Sequence, residues 1–154
     1  MTKYNFHFDR VPAETSKAHP RRERESFFKN YCAGLGIDIG CGFDPIDSGG
    51  EVYMFDMIHG QGDATRMDHV DDATFDYVHS SHLLEHIEEP EIAVRNWWRV
   101  LKPGGYLLIM VPERDLYEGK TSLPSRWNED HKRFYLLDFY EPPCTVGIVH
   151  WLGQ

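Results

Sequence analysis

The residues best able to do chemistry fall into four short groups. Gly36-Ile-Asp-Ile-Gly-Cys-Gly42 places two glycines directly after an apolar run, and glycine lets a backbone turn sharply and a ligand approach where a Cβ would collide. A tight turn after any strand needs the same residues, so the group fits a ligand loop and an ordinary turn equally well. Asp56 closes the run Val52 to Phe55, where a carboxylate can accept both hydrogens of a ribose diol. Gly62-Asp63-Ala64 then offers a carboxylate to an exocyclic amine. Aspartates at strand ends also form turns and cap helices.

The fourth group is His82-Leu-Leu-Glu85-His86. Where a proton must leave an acceptor, an imidazole with an unperturbed pKa of about 6.5 is a better base near neutrality than a carboxylate. His82 and His86 are therefore the candidate catalytic residues, although His86 could equally cap or pack against the strand end. The same five residues match the H-x-x-E-H order of inverted zinc peptidases, and two histidines at i and i+4 can grip one zinc ion. A peptidase would hold them inside a long helix. Here they follow a strand directly and Pro90 comes soon after, so no metal is expected.

A dinucleotide is disfavoured on two grounds. The third glycine of G-x-G-x-x-G is missing, since Asp44-Pro45 follow. Only about eight residues separate Gly42 from the next strand, too few for the crossover helix whose N-terminus would bind a pyrophosphate.

The elements that must position these groups can be read from pattern. Residues 1–19 contain Pro12 and Pro20 and read as an irregular leader, and Arg21 to Cys32 reads as a helix stopped by Gly34. Leu35 to Ile39, Val52 to Phe55 and Phe75 to His79 read as strands. Pro90 suits the first turn of a helix running to Leu101, with Ile92, Val94, Trp97, Trp98, Val100 and Leu101 on its apolar face. Lys102-Pro-Gly-Gly105 ends that helix, and Tyr106 to Val111 is the most apolar strand, expected to be buried on both faces of a parallel sheet. The alternation is that of an α/β domain with a mostly parallel sheet and helices on its faces.

The chain has 154 residues, 41% hydrophobic and 27% charged, enough for one domain with its own core and too few for two. Its 16 Lys plus Arg against 25 Asp plus Glu give a formal charge of −9. Residues 1–31 hold seven basic and four acidic side chains, a balance of +3, so the remainder carries −12. Such a field repels phosphate backbones, and a nucleic-acid partner is not expected. Cys32, Cys41 and Cys144 form no C-x-x-C pair, which points to reduced thiols in a cytoplasm. The longest apolar run falls far short of the roughly 20 residues that cross a bilayer, and no membrane partner is expected.

The blocks LGIDIGCGFDP, VYMFD, GDATRM, FDYVHSSHLLEHIEEP and WWRVLKPGGYLLIMVP, in this order and spacing over residues 34–112, closely resemble the class I S-adenosylmethionine-dependent methyltransferases in their type 11, small-molecule branch. The resemblance implies a Rossmann-like fold, S-adenosylmethionine as cofactor and a small-molecule or glycan-type acceptor. It implies that Asp38, Gly40, Cys41 and Gly42 form the loop around the methionine part. Asp56 and Met57 would lie at the ribose, Asp63 and Ala64 at the adenine, and Ser80 and Ser81 beside His82 near the sulfonium. EDHKRFY resembles the stretch after the fifth strand of that branch, so residues 113–135 are expected to be the acceptor-side loop, with Arg114, Trp127, His131 and Arg133 as substrate contacts. A cation at sulfur without a phosphate suits an acidic domain.

The chain is short for that family. After Val111 only a polar loop, a helical turn near Tyr135 to Tyr140 and one strand from Thr145 to Trp151 are expected, and the helices after the first two strands are lost. A reduced sheet leaves an edge through which two copies could pair. It also leaves two functional readings: an active methyltransferase, or a reduced domain that binds the cofactor or serves as an interaction module.

Overall fold

The computed structural model describes residues 9–139 and 141–153. Residues 1–8 of the expected leader lie outside them. Residues 9–13 are irregular as expected, but from Glu14 the leader is helical: helix α1 spans Glu14–Arg24 and includes Pro20. Its N-terminus is capped from a distance. Asp44 accepts the backbone amides of Ala13 and Ser16 at 2.8 Å each, together with the Ser16 hydroxyl, and takes the Arg10 guanidinium at 2.9 Å. A helix start whose cap lies 28 residues away in the chain gives no local signal. The single helix expected from Arg21 to Cys32 is broken at Ser26, which has a φ of 57°, and resumes as α2, Phe27–Tyr31.

Strands β1 (Leu35–Ile39) and β2 (Glu51–Phe55) form where the apolar runs place them, and β3 extends over Phe75–Ser81. Helix α3, Pro90–Arg99, starts at its proline as expected and stops before Leu101. Strand β4 then runs over Leu101–Met110 and pairs with β3 at once. Lys102 to Gly105 is therefore an irregularity within the strand rather than the turn before it, because the register passes from Phe75↔Leu101 to Tyr77↔Tyr106. These four strands are parallel in the order β2-β1-β3-β4. Between β1 and β2 there is no helix, and after β2 only a 3-10 turn at Met57–His59, which agrees with the expected loss of both crossover helices.

Side-chain alternation sorts the sheet into two faces. On one, Ile37, Ile39, Val78 and Leu107 pack against Ala93 and Trp97 of α3. On the other, Tyr77 and Leu108 pack with Cys32, Ile46, Phe27 and Phe28, so the N-terminal helices cover the face that lacks crossover helices. Trp97 is fully buried and its indole N–H donates to the Ala64 carbonyl at 2.8 Å, whereas Trp98 points outward.

β4 is an edge strand and is only partly covered, contrary to burial on both faces. An apolar groove of about 570 Å³ runs beside it, lined by Val94, Trp98, Leu107, Ile109, Ile148 and Leu152. The C-terminal part also departs from expectation. The turn expected near Tyr135 is strand β5, Phe134–Leu136, and it pairs in parallel with β6, Thr145–Gly147. The strand expected to reach Trp151 ends at Gly147 and gives way to α4, Ile148–Leu152. No helix among the described residues is long and apolar enough to cross a membrane.

Candidate active site

The loops that leave the carboxyl ends of β1, β2 and β3 meet at one end of the sheet, where ligands of open α/β sheets bind. The first is the glycine turn. Gly40 and Gly42 both have positive φ, 71° and 52°, a region open to glycine at no steric cost. Their surroundings differ. A Cβ on Gly40 would strike the Leu83 side chain at 2.6 Å, so this glycine makes room for protein, whereas a Cβ on Gly42 would meet nothing within 4 Å. Of the two, Gly42 presents the open face that a ligand needs. Cys41 is buried, and that burial pushes its thiol well above the ordinary range, so it is inert as a nucleophile.

Asp56 spans the first two loops. One carboxylate oxygen accepts the Gly42 amide at 2.8 Å and the other accepts the Ile58 amide at 2.9 Å, capping the 3-10 turn. Both oxygens keep a lone pair for a ligand hydroxyl. His59 closes the same junction, its Nε2 lying 2.7 Å from the Gly42 carbonyl oxygen. Met57 is exposed beside them. Asp63 accepts the Thr65 amide at 2.7 Å and so forms a turn, and the Ala64 carbonyl is held by Trp97.

Asp38 holds the glycine loop from beneath. It is buried, with one oxygen 2.6 Å from the Ile46 amide and the other 2.6 Å from Nδ1 of His79. The carboxylate accepts from Nδ1–H, which leaves the lone pair on Nε2 to accept from the Arg22 guanidinium at 3.3 Å. Arg22, His79 and Asp38 thus form a polar chain that pins α1 to the sheet. It is a structural device that the sequence pattern did not single out.

β3 delivers Ser80, Ser81 and His82. The Ser80 hydroxyl is buried with no hydrogen-bond partner. His82 has a φ of 55°, a left-handed conformation that a non-glycine residue adopts at a cost of about 1–3 kcal/mol. Its amide donates to the Met110 carbonyl at 2.9 Å and its Nδ1 lies 3.0 Å from the Ser81 hydroxyl. Burial lowers the pKa of this imidazole, which favours the neutral, proton-accepting form.

The loop from 113 to 135 is folded back on this end of the sheet. A π-helical turn at Arg114–Glu118 opens it. Arg114, expected at the substrate, instead pairs with Asp115 at 2.8 Å and Glu141 at 2.6 Å and donates to the Thr145 hydroxyl at 3.2 Å, so it joins the loop to β6. Trp127 is largely exposed, with Arg126 over its ring and its indole N–H on the Tyr117 carbonyl. Arg133 donates to the Glu88 carbonyl at 2.9 Å and keeps a buried Nε without a partner. His131 is buried, its Nδ1 2.8 Å from Glu118.

His131 also meets residues far from it in sequence. Its ring lies 4.8 Å from that of His86 at 77°, and Glu85, His86 and His131 each bring a ligand atom within 4.8 Å of one another. The two expected catalytic histidines therefore have different surroundings: His82 sits at the end of β3, and His86 sits in this cluster. Glu85 is buried, which pushes its carboxyl up to about 7.

The family described as a methyltransferase domain, type 11, matches residues 48–109, a span from just before β2 to the end of β4 that leaves the glycine turn outside it. That segment carries three of the four parallel strands, so the matched region and the sheet coincide over β2 to β4. Among solved structures the chain is similar to one from Thermotoga maritima, titled a SAM-dependent methyltransferase and possible histamine N-methyltransferase. Identity is 20% over 64% of this chain and 60% of that one, with a TM-score of 0.41. The chain thus spans about three-fifths of the length of that structure. No curated protein matches the sequence.

Proposed function

We propose that this domain binds S-adenosylmethionine across the carboxyl ends of β1, β2 and β3 and transfers its methyl group to a small-molecule or glycan-type acceptor. The observation that carries the reading is the Asp56 junction. A half-buried carboxylate is held beside the open face of Gly42 with lone pairs to spare, within the chain segment that matches the methyltransferase family. The orphaned Ser80 hydroxyl supplies a second polar group for a ligand at the same end.

When bound, the cofactor supplies an activated methyl on a cationic sulfur together with its own leaving group. The protein must align an incoming nucleophile with that bond and exclude water. Asp56 would hold the ribose hydroxyls, with Met57 against the sugar, and Gly42 and Cys41 would border the methionine part. Asp63 and Ala64 would flank the adenine. His82, neutral and fixed at the end of β3, would accept a proton where the acceptor has one to lose. Trp127, His131 and Arg133 form the acceptor side. The same reading includes pairing of two copies along the β4 edge, which light scattering would register as a doubled mass.

A second reading has an observation of its own. Asp38 is already satisfied by His79 and Ile46, and the space above Gly40 is filled by Leu83. A domain that has closed part of the ligand loop with its own side chains fits an interaction module. Calorimetric titration with S-adenosylmethionine and S-adenosylhomocysteine separates the two. Binding of either supports the enzyme reading, and absence of heat with both at high protein concentration leaves only the module.

A further inference from the structure

We propose that Glu85, His86 and His131 form a site for one divalent transition-metal ion, of which zinc is the simplest occupant, with a further coordination position open. The H-x-x-E-H order suggests His82 and His86 as the metal pair. The fold rejects that pair and assembles another, with His131 taking the place of His82 and Glu85 serving as a ligand.

Three observations carry the inference independently of each other. The donor atoms of the three residues lie within 4.8 Å of one another, with His86 Nε2 and Glu85 Oε1 at 4.0 Å. Each histidine has its other nitrogen held by a carboxylate, His86 Nδ1 by Asp130 at 2.9 Å and His131 Nδ1 by Glu118 at 2.8 Å. A carboxylate on Nδ1–H fixes the tautomer with the lone pair on Nε2 and raises its basicity, an arrangement that accompanies metal-ligating histidines. The third observation is Glu85 itself. It is 1% exposed, yet its Oε2 has no hydrogen-bond partner. A buried carboxylate oxygen left unsatisfied is costly unless something absent from the chain fills its coordination.

The supporting shell is built to a standard that an incidental cluster does not need. Glu118, also 1% exposed, accepts the Ser125 hydroxyl at 2.6 Å and the Arg126 amide at 2.8 Å besides His131, so its orientation is fixed on every side. Asp130 is steadied by Lys132 at 3.0 Å. The Lys132 amide donates to the Glu85 carbonyl at 2.7 Å, which locks the backbone of the acceptor loop to that of the short turn carrying Glu85 and His86. Three acidic side chains, Glu85, Glu118 and Asp130, surround the two imidazoles.

Two histidines and one carboxylate with an open position are the ligand set of catalytic rather than structural zinc. Zinc bonds of about 2.0–2.2 Å would put tetrahedral donors about 3.3 Å apart, so the three groups must close by roughly an ångström. The His86 ring, which is the least buried of the three, can make that adjustment. An anionic or hydroxyl oxygen is the chemistry an open position would take.

The test needs neither S-adenosylmethionine nor turnover, so its outcome is distinct from that of the methyltransferase reading. Tag-free protein, stripped with chelator and dialysed against Zn²⁺ or Co²⁺, is expected to retain one ion per chain, and the Co²⁺ form to show ligand-field absorption of a four- or five-coordinate centre. Glu85→Gln and His131→Ala are expected to bind Zn²⁺ at least a hundredfold more weakly, and His82→Ala to bind it as the unmodified chain does. Should His131→Ala fail to fold by circular dichroism, His86→Ala takes its place. Retention no greater than that of these variants, or loss of the ion in His82→Ala, would overturn the proposal.

Discussion

The Asp56 carboxylate accepts the amide of Gly42, and this one bond at 2.8 Å makes the end of β2 and the glycine turn after β1 a single unit. A ligand that draws on Asp56 therefore also draws on the geometry of the turn. Substituting Asp56 removes the proposed ribose acceptor, a cap on the 3-10 turn and the tie to Gly42 together.

Asp56→Ala is expected to weaken S-adenosylhomocysteine binding at least tenfold, since hydrogen bonds to a charged group are worth about 1.5–3 kcal/mol each. The lost cap should lower stability by about 1 kcal/mol as well. Calorimetry on the folded variant reads the first and chemical denaturation the second. An affinity equal to that of the unmodified chain would show that the carboxylate serves the turn alone.

His82 presents an opportunity to separate strain from chemistry. His82→Gly relieves a left-handed backbone and His82→Ala does not, while both remove the imidazole. The glycine variant should be the more stable of the two by about 1 kcal/mol, with methyl transfer reduced equally in both. Equal stabilities would mean that the surrounding loop relaxes around His82.

Asp44 links acidity to the docking of α1. Burial pushes its carboxyl up, but the hydroxyl and amide of Ser16, the Arg10 guanidinium and the Ala13 amide outweigh that and hold it below the ordinary carboxylate range. A depressed folded-state pKa contributes stability that is present above the unfolded value of about 3.9 and is lost as the pH falls through the folded one. Asp44→Asn should thus be less stable by about 1–2 kcal/mol at pH 7, with the gap closing below about pH 4. Denaturant titrations of both chains from pH 6 to pH 3 measure it, and a gap that does not vary with pH would exclude the ionised cap.

Arg114 and Arg133, two of the four expected acceptor contacts, should behave differently. Arg114→Ala leaves Glu141 and the Thr145 hydroxyl without their donor and should cost about 1–3 kcal/mol of stability. Arg133→Ala should reduce turnover while cofactor affinity stays within about threefold, under 1 kcal/mol. Loss of cofactor binding in Arg133→Ala would move this segment to the cofactor side.

What the sequence revealed follows the range of the interactions involved. β1, the start of α3 and the glycine turn were legible because their signals are local: an apolar run ending in Gly40 to Gly42, and Pro90 ahead of a helical stripe. The start of β4 was not, since Lys102-Pro-Gly-Gly105 has the composition of a turn and only pairing of Leu101 with Phe75 makes it strand. α1 escaped because its cap, Asp44, lies beyond the glycine loop. Strand β5 is three residues long and owes its state to β6. At the site, the order of loops was readable, but the partners of Asp38 were not, because His79 reaches it only across the sheet. The meeting of His86 with His131 was hidden because the two lie 45 residues apart and are joined only by the folding back of the acceptor loop.

The capping of α1 by Asp44 also sets an order of assembly. At 11 residues with an internal proline, the helix is too short to persist alone as it leaves the ribosome. The groups that fix it, Asp44 and then His79, are synthesised later. Tyr77 and Leu108 gain their cover only when the N-terminal helices dock across a long stretch of chain, whereas α3 follows β3 closely and can pack on the opposite side at once. Folding should therefore begin as a half-clad sheet with a hydrophobic flank open to chaperones. Pulse-labelled hydrogen exchange during refolding should find the α1 amides protected after those of β3 and α3.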